Sequence, residues 1–412
     1  MKFPKLGPGL TTGAADDDPS GIATYSQAGA TTGFTFLWMA LFTYPLMVVI
    51  QEMCARIGMV TGKGLAANIR EHYPKWMLYL IAALLFGANA FNIGADLGAM
   101  AEASRLLFPT LPFAGLVVGF TILSLCLQVF MSYKTYSKYL KWLSFALFSY
   151  IITAFTITLD WGNILQSTFV PTFHFTKESW LLMAAILGTT ISPYLFFWQT
   201  SQEVEEKNKN RAGAEVEVEV TKQDISEMRT DVVTGMFVSN IVMFFIIVVC
   251  ASTLFGQGIT SIDSAADAAA ALKPLVGNGA SLLFAIGIIG AGLLAVPVLA
   301  GSASYAISES FKLKFGLYNK LHEATAFYGI IALSMLVGFG LNFIGLDPIK
   351  ALIYSSIANC LVAPLIIILI VKMASDRGIM GQYTNKRFTT FLGWVLVLIM
   401  SVVSLGILLA LL

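Results

Sequence analysis

Long, nearly unbroken apolar blocks decide what this chain can fold into. Trp38 to Ile50 and Phe237 to Leu254 are two of many, each set off by a short polar break. A block near 20 residues spans about 30 Å of hydrocarbon as a helix. In lipid every backbone amide must be paired within its own structure, so only helices or closed barrels cross, and the two-residue alternation of barrel strands is missing here. The fold class is therefore an all-α membrane protein. Composition agrees: 57% of residues are hydrophobic and 12% charged, against roughly 25% charged in an average soluble domain.

Apolar blocks read against polar breaks predict about eleven transmembrane helices, near 10–32, 35–58, 75–107, 112–132, 138–160, 179–204, 230–256, 275–308, 323–343, 349–373 and 388–411. With the N-terminus in the cytoplasm, only Arg105, Lys177, Lys273 and Lys350 of the 25 Lys and Arg fall outside. Arg56, Lys63, Arg70, Lys134, Lys138, Lys207, Lys312, Lys320, Arg377 and Arg387 all fall inside, which is the asymmetry that orients membrane helices. The C-terminus is then extracytoplasmic and the protein a multi-pass component of the cell membrane.

A formal charge of +1 with no basic patch excludes a nucleic-acid partner. The partners left are membrane lipid and a ligand within the membrane, with oligomeric state open, a monomer included. Cys54, Cys126, Cys250 and Cys360 lie in or beside apolar blocks without CxxC spacing, so they read as small packed hydrophobes rather than a disulfide or zinc framework. Met1 to Gly13 lacks the order of a cleaved signal. The longest polar insertion, a cytoplasmic loop over 203–229, carries the alternating run Glu215 to Val220, read as a charged linker in preference to a short strand or a cation sensor.

The first span holds Gly13-Ala14-Ala15-Asp16-Asp17-Asp18-Pro19-Ser20-Gly21. Each carboxylate at the bilayer centre costs at least about 2.5–3.5 kcal/mol, so it must meet a wet cavity, a partner or an ion. Proline removes an amide and glycine eases departure from helical dihedrals, so the helix opens here and frees carbonyls. The sixth span repeats the device at Gly188-Thr189-Thr190-Ile191-Ser192-Pro193-Tyr194. Breaks at corresponding places in two five-helix halves predict a transporter with its ligand at the midplane. Asp18 is the leading cation ligand, although an aspartate before proline also suits a helix N-cap.

The stretch from Gly7-Pro8-Gly9 through Asp18-Pro19-Ser20-Gly21 to Ala28-Gly29-Ala30 resembles the first helix of the Nramp divalent-metal transporters. The resemblance continues through Gln51 and Ala55-Arg56-Ile57-Gly58-Met59-Val60-Thr61-Gly62-Lys63, Asp96-Leu97 and Asp376-Arg377-Gly378-Ile379-Met380-Gly381, covering essentially the whole chain. It implies a LeuT-like fold: a first inverted repeat over 1–160, an outer loop over 161–178, a second repeat over 179–373, and an appended helix eleven over 374–412. It also implies alternating access, with no enzymatic step and no cofactor, the metal being cargo.

The resemblance places Asp18 on the family's aspartate, and Ala15 and Thr189 where backbone carbonyls serve as ligands. Ser192 stands for the family's Met, Gly21 for its Asn, Tyr194 for its His, Ala99 for the second acidic residue of helix three and Ser356 for a helix-ten glutamine. A thioether favours soft metals, and magnesium usually binds through one or two carboxylates and retained waters. The pattern is closest to the Nramp-related magnesium transporters, which predicts Mg2+, with Mn2+ second, in a site of Asp18, Thr189, Ser192 and Ala15 lined by Asp17, Gly21, Thr190, Tyr194, Asp96, Ser356 and Asn359. Asp16 and Asp17 attract cations or stay solvated. Tyr194 and Ala99 interrupt the family's proton route, since tyrosine has an unperturbed pKa near 10. Uncoupled import driven by the membrane potential is the resulting expectation.

Other polar residues read more plainly. Asp96 relays protons, or is hydrogen-bonded to Asn92 or another helix. Glu102 is solvated near the outer face, and His72, His174 and His322 are surface residues. Gly287, Gly290, Gly292 and Pro297 serve packing and a kink, and Asn240 and Asn359 bond across helices or to metal-bound water. The alternatives are a proton-coupled importer of Mn2+ or other transition metals and a sodium-coupled carrier of small organic solutes. No H-E-x-x-H, G-x-S-x-G or phosphate-binding loop supports an enzyme.

Overall fold

A computed structural model of the chain describes residues 7–131, 145–211, 220–262 and 264–411. Lys134, Lys138, the start of the expected 138–160 span and Glu215 to Glu219 lie outside the described residues. The helices run in the order α1 (Pro8–Asp16), α2 (Pro19–Thr32), α3 (Trp38–Thr61), α4 (Leu65–His72), α5 (Lys75–Leu107), α6 (Phe113–Phe130), α7 (Phe148–Thr156), α8 (Trp161–Phe169) and α9 (Lys177–Thr190). They continue with α10 (Pro193–Arg211), α11 (Lys222–Thr253), α12 (Ala265–Ala270), α13 (Lys273–Val276), α14 (Ala280–Ser310), α15 (Thr325–Leu341), α16 (Pro348–Ser375), α17 (Arg377–Met380) and α18 (Arg387–Leu411). No strand occurs among the described residues.

Eight stretches among them are long and apolar enough to cross a membrane, and α15 is a shorter apolar helix. The expected 75–107 span coincides with α5, which starts after Pro74 because proline cannot supply an amide to a preceding turn but fits a helix start. Two expected loops are corrected. Within 203–229, the sixth span stays helical to Arg211 and the next helix begins at Lys222. Thr221 and Asp224 form a capping box there, with the Asp224 amide on Thr221 Oγ1 at 3.1 Å and the Thr221 amide on Asp224 Oδ2 at 2.9 Å, satisfying amides that a helix start leaves free. The 161–178 segment contains α8, capped by Asp160.

At the centre α5 packs against α14, α15 and α16, while α11 covers α1, α2 and α3, and α9 sits on α16. Close approach depends on missing side chains at two places. A Cβ on Gly188 would strike the Ser356 carbonyl oxygen of α16, and one on Gly13 would strike the backbone of Gly235 in α11. Backbone-to-backbone contact of this kind is how membrane helices associate without a hydrophobic driving force. Gly292 likewise lies against Met100 and Pro19, in keeping with the expected packing role. Cys54, Cys250 and Cys360 are buried and free, but Cys126 is exposed on α6, a helix with few buried positions, so it is not packed inside.

Candidate metal centre

Both interrupted spans are broken in the same way. In the first, α1 ends at Asp16, Asp17 leaves the helix at φ −81°, ψ 56°, Asp18 is extended at φ −74°, ψ 170°, and Pro19 opens α2. In the second, α9 ends at Thr190, Ile191 turns at φ −121°, ψ 63°, and Pro193 opens α10. Each proline falls where its missing amide costs nothing. The C-terminal carbonyls of α1 and α9, and the N-terminal amides of α2 and α10, are thereby released into one interior region. Carbonyl ends favour cations and amide ends favour anions.

Asp18 is 1% exposed and caps α2. Its Oδ1 accepts from Ser20 Oγ at 2.6 Å and the Gly21 amide at 2.8 Å, with Thr189 Oγ1 at 3.5 Å. Its Oδ2 accepts from Asn92 Nδ2 at 2.9 Å. The capping geometry and a ligand role are compatible, because a carboxylate has about four lone-pair sites. Gly21 contributes an amide to Asp18 and lies within a helix, not in an open stretch. Space is tight there, since a Cβ on Gly21 would sit 3.2 Å from Thr189 Oγ1.

The other expected residues divide into those the fold gathers around Asp18 and those it engages otherwise. Tyr194 donates its hydroxyl to the Ala15 carbonyl at 3.1 Å, tying α10 to the end of α1 and occupying one lone pair of that carbonyl. Ser192 turns back on its own break, donating toward the Gly188 and Thr189 carbonyls at 2.9 and 2.7 Å. Its oxygen keeps lone pairs, but its proton is committed locally. Thr190 pairs with Tyr25 at 3.0 Å, and Ser356 lies 3.4 Å from Thr24 while donating to the Leu352 carbonyl at 3.0 Å. Asp17 shares Ser239 with Asp16: Ser239 Oγ is 3.0 Å from Asp17 Oδ1 and 2.6 Å from Asp16 Oδ2. One hydroxyl carries one proton, so it satisfies one carboxylate at a time. Both carboxylates are buried, so neither is solvated in this conformation.

Asp96 is fully buried and neither carboxylate oxygen has a hydrogen-bond partner. The expected bond from Asn92 is therefore absent, because Asn92 is turned to Asp18 instead. Asn359 is buried with both amide atoms unpartnered, so no cross-helix bond forms there, while Asn240 reaches Thr43 Oγ1 at 3.4 Å. None of the ion pairs among the described residues involves Asp16, Asp17, Asp18 or Asp96. The side chains at the first break are thus the capped carboxylate of Asp18 beside Asp16 and Asp17, which share Ser239, and with the hydroxyls and backbone carbonyls around them this is hard oxygen chemistry. No group of three or more His, Cys, Asp or Glu converges as a metal holder among the described residues. Glu102 pairs with Arg105 at 3.0 Å, and His72 and His174 are exposed, while His322 is 3.9 Å from Glu323.

Sequence reasoning missed Asn92, Ser355 and Ser239 as members of this constellation. The available signal was only that each is polar within an apolar span; which oxygen it meets depends on helix rotation and register.

The family model for natural resistance-associated macrophage protein-like chains, Nramp, matches residues 9–410. The chain belongs to the Nramp family. Nramp proteins are transporters, so this is a multi-pass membrane transporter and not an enzyme. Among curated Nramp relatives, the divalent metal cation transporter MntH of Klebsiella pneumoniae strain 342 is 26% identical, aligned over 98% of this chain and 93% of its own length. A crystal structure of the Eremococcus coleocola manganese transporter, bound to an aromatic bis-isothiourea compound, superposes with TM-score 0.74 at 18% identity, covering 98% of this chain and 85% of that one. MhsT in complex with L-phenylalanine superposes with TM-score 0.66 at 12% identity, covering 98% of both chains. At such identities these two structures establish the LeuT-like fold and nothing about cargo.

Proposed function

We propose that this Nramp protein is a secondary transporter that imports divalent metal ions by alternating access. Its cargo is a partly hydrated Mg2+, with Mn2+ also carried, and no proton is coupled. The divalent class is supported by the metal cation carried in the name of the MntH relative. The observation that carries the finer reading is the donor set at the two breaks: Asp18 with the Ala15 and Thr189 carbonyls and the Ser192 hydroxyl, all of them oxygens. Such a set suits a hard ion that keeps several waters and gives up selectivity for soft metals. Asp17, Gly21, Thr190, Tyr194, Asp96, Ser356 and Asn359 line the cavity, and Asp96 and Asn359, whose polar atoms have no hydrogen-bond partner, are suited to hold metal-bound water. The membrane potential supplies about 2.3 kcal/mol per charge per 100 mV, and a divalent ion moves two charges.

The inverted repeats proposed for 1–160 and 179–373, with a cytoplasmic N-terminus, supply the moving parts. A second reading, proton-coupled import of Mn2+, draws on the buried carboxylate of Asp96, whose oxygens have no hydrogen-bond partner. Uptake of Mg2+, Mn2+, Ca2+ and Cd2+ into proteoliposomes with a luminal pH dye separates the two. Saturable Mg2+ and Mn2+ uptake without luminal acidification is expected. Uptake confined to Mn2+ and Cd2+, with acidification, contradicts the magnesium reading.

A further inference from the structure

Asn92 lies on α5, one turn before Asp96, and its side chain is fully buried with both ends in use. Nδ2 donates to Asp18 Oδ2 at 2.9 Å, and Oδ1 accepts from Ser355 Oγ of α16 at 2.6 Å. Ser355 Oγ is also 2.8 Å from the Leu352 carbonyl, so its proton is shared, with the shorter contact to Asn92. The sense of the amide is fixed by its neighbours: turned over, it would set its oxygen against a carboxylate that offers only acceptors.

The two oxygens of Asp18 are not equivalent. Oδ1 already takes the Ser20 hydroxyl and the Gly21 amide, with Thr189 Oγ1 a longer third contact at 3.5 Å, so its two lone pairs are occupied. Oδ2 takes Asn92 and keeps an open lone pair. A cation bound by Asp18 therefore meets Oδ2, the atom that Asn92 holds.

We infer that Asn92 is a positioning residue for the cargo: it fixes the carboxylate plane of Asp18 so that the open lone pair of Oδ2 faces the ion, and Ser355 locks the amide that does so. The inference rests on the reading of Asp18 as the cargo ligand. It gives the site a physical link to two further helices, since the oxygen that meets the cation is the one that the Asn92 amide joins to α5 and, through Ser355, to α16. Partners of this kind behind a metal ligand typically govern affinity by about 10- to 100-fold.

The test uses full-length protein in proteoliposomes, with Mn2+ as the probe for KM and maximal rate, and calorimetric Mn2+ titration of the same protein in detergent. Asn92→Ala is expected to raise KM and Kd about tenfold, with the maximal rate per folded protein nearly unchanged. Ser355→Ala is expected to raise both by a smaller factor, and the double variant to match Asn92→Ala alone, because Ser355 acts through Asn92. Should Asn92→Ala fail to fold, the rise in KM and Kd of Ser355→Ala carries the test. An unchanged KM with a rate that merely follows folded yield, or additive effects in the double variant, overturns the inference and leaves Asn92 as helix packing. Asp18→Ala is run in parallel. Normal Mn2+ binding by Asp18→Ala refutes the site itself, whereas lost binding there beside an unaltered Asn92→Ala refutes only the positioning role.

Discussion

At the level of single residues, the site is defined as much by what its hydroxyls already hold as by which ones are present. Ser192, which the sequence resemblance sets against a thioether, spends its proton on the Gly188 and Thr189 carbonyls. Ser192→Met removes that local bond and restores a soft donor, so Cd2+ should gain on Mg2+ in competition uptake by about tenfold or more; an unchanged ranking would place residue 192 off the ion's path. Tyr194→Phe releases the Ala15 carbonyl from its hydroxyl partner. If that carbonyl serves the ion, the KM of Mg2+ or Mn2+ falls or holds while uptake persists, and a complete loss of transport would instead give the hydroxyl a direct role. The break at Asp17-Asp18-Pro19 was legible in the sequence because three carboxylates beside a proline in a membrane span have no bland explanation. The direction in which Ser192 points, the vacancy of both Asp96 oxygens and the bridge through Asn92 were not legible. They follow from rotations of separate helices about their axes, which no local pattern encodes.

At the scale of elements, the apolar blocks located the helices well, to the residue for α5, because hydrocarbon thickness and backbone pairing leave one solution for each block. What escaped were the short helices α4 and α8 and the helical extension to Arg211, all polar enough to resemble loops and stabilised by caps and docking. The α4 helix, for example, rests on Glu309 of α14, whose carboxylate accepts the Ala67 amide at 3.0 Å. The broken spans work only if their halves pack closely, and Gly188 against the Ser356 carbonyl is the tightest such seam. Gly188→Ala should destabilise the protein by about 1–3 kcal/mol through overpacking, read as a lower melting midpoint in detergent. Gly119→Ala on α6, with nothing within 4 Å of the added carbon, should leave the midpoint unchanged. Equal shifts for the two would remove the seam from the account.

For the molecule as a whole, the site is closed to solvent: Asp18, Thr189 and Ser192 are each 1% exposed. Transport then requires α1 or its neighbours to move, and the contacts resisting this are visible. Asp231 of α11 accepts from the Gly7, Gly9 and Leu10 amides at 3.1, 2.6 and 3.3 Å, tying down the free start of α1. Thr12 continues the seal through Gln199, which donates to Glu203 at 2.9 Å. Glu52 of α3 meets Arg229 of α11 at 2.9 Å and Arg56 at 3.1 Å. Asp231→Ala should speed hydrogen exchange of the first turn of α1 without affecting α16, because it lowers the cost of opening locally. The most direct trial of the account is Mg2+ and Mn2+ uptake by Asp18→Ala beside the unaltered protein in proteoliposomes at matched reconstitution. The broken-helix site predicts that saturable uptake of both ions disappears while the variant stays folded; uptake at the unaltered rate and KM would contradict it.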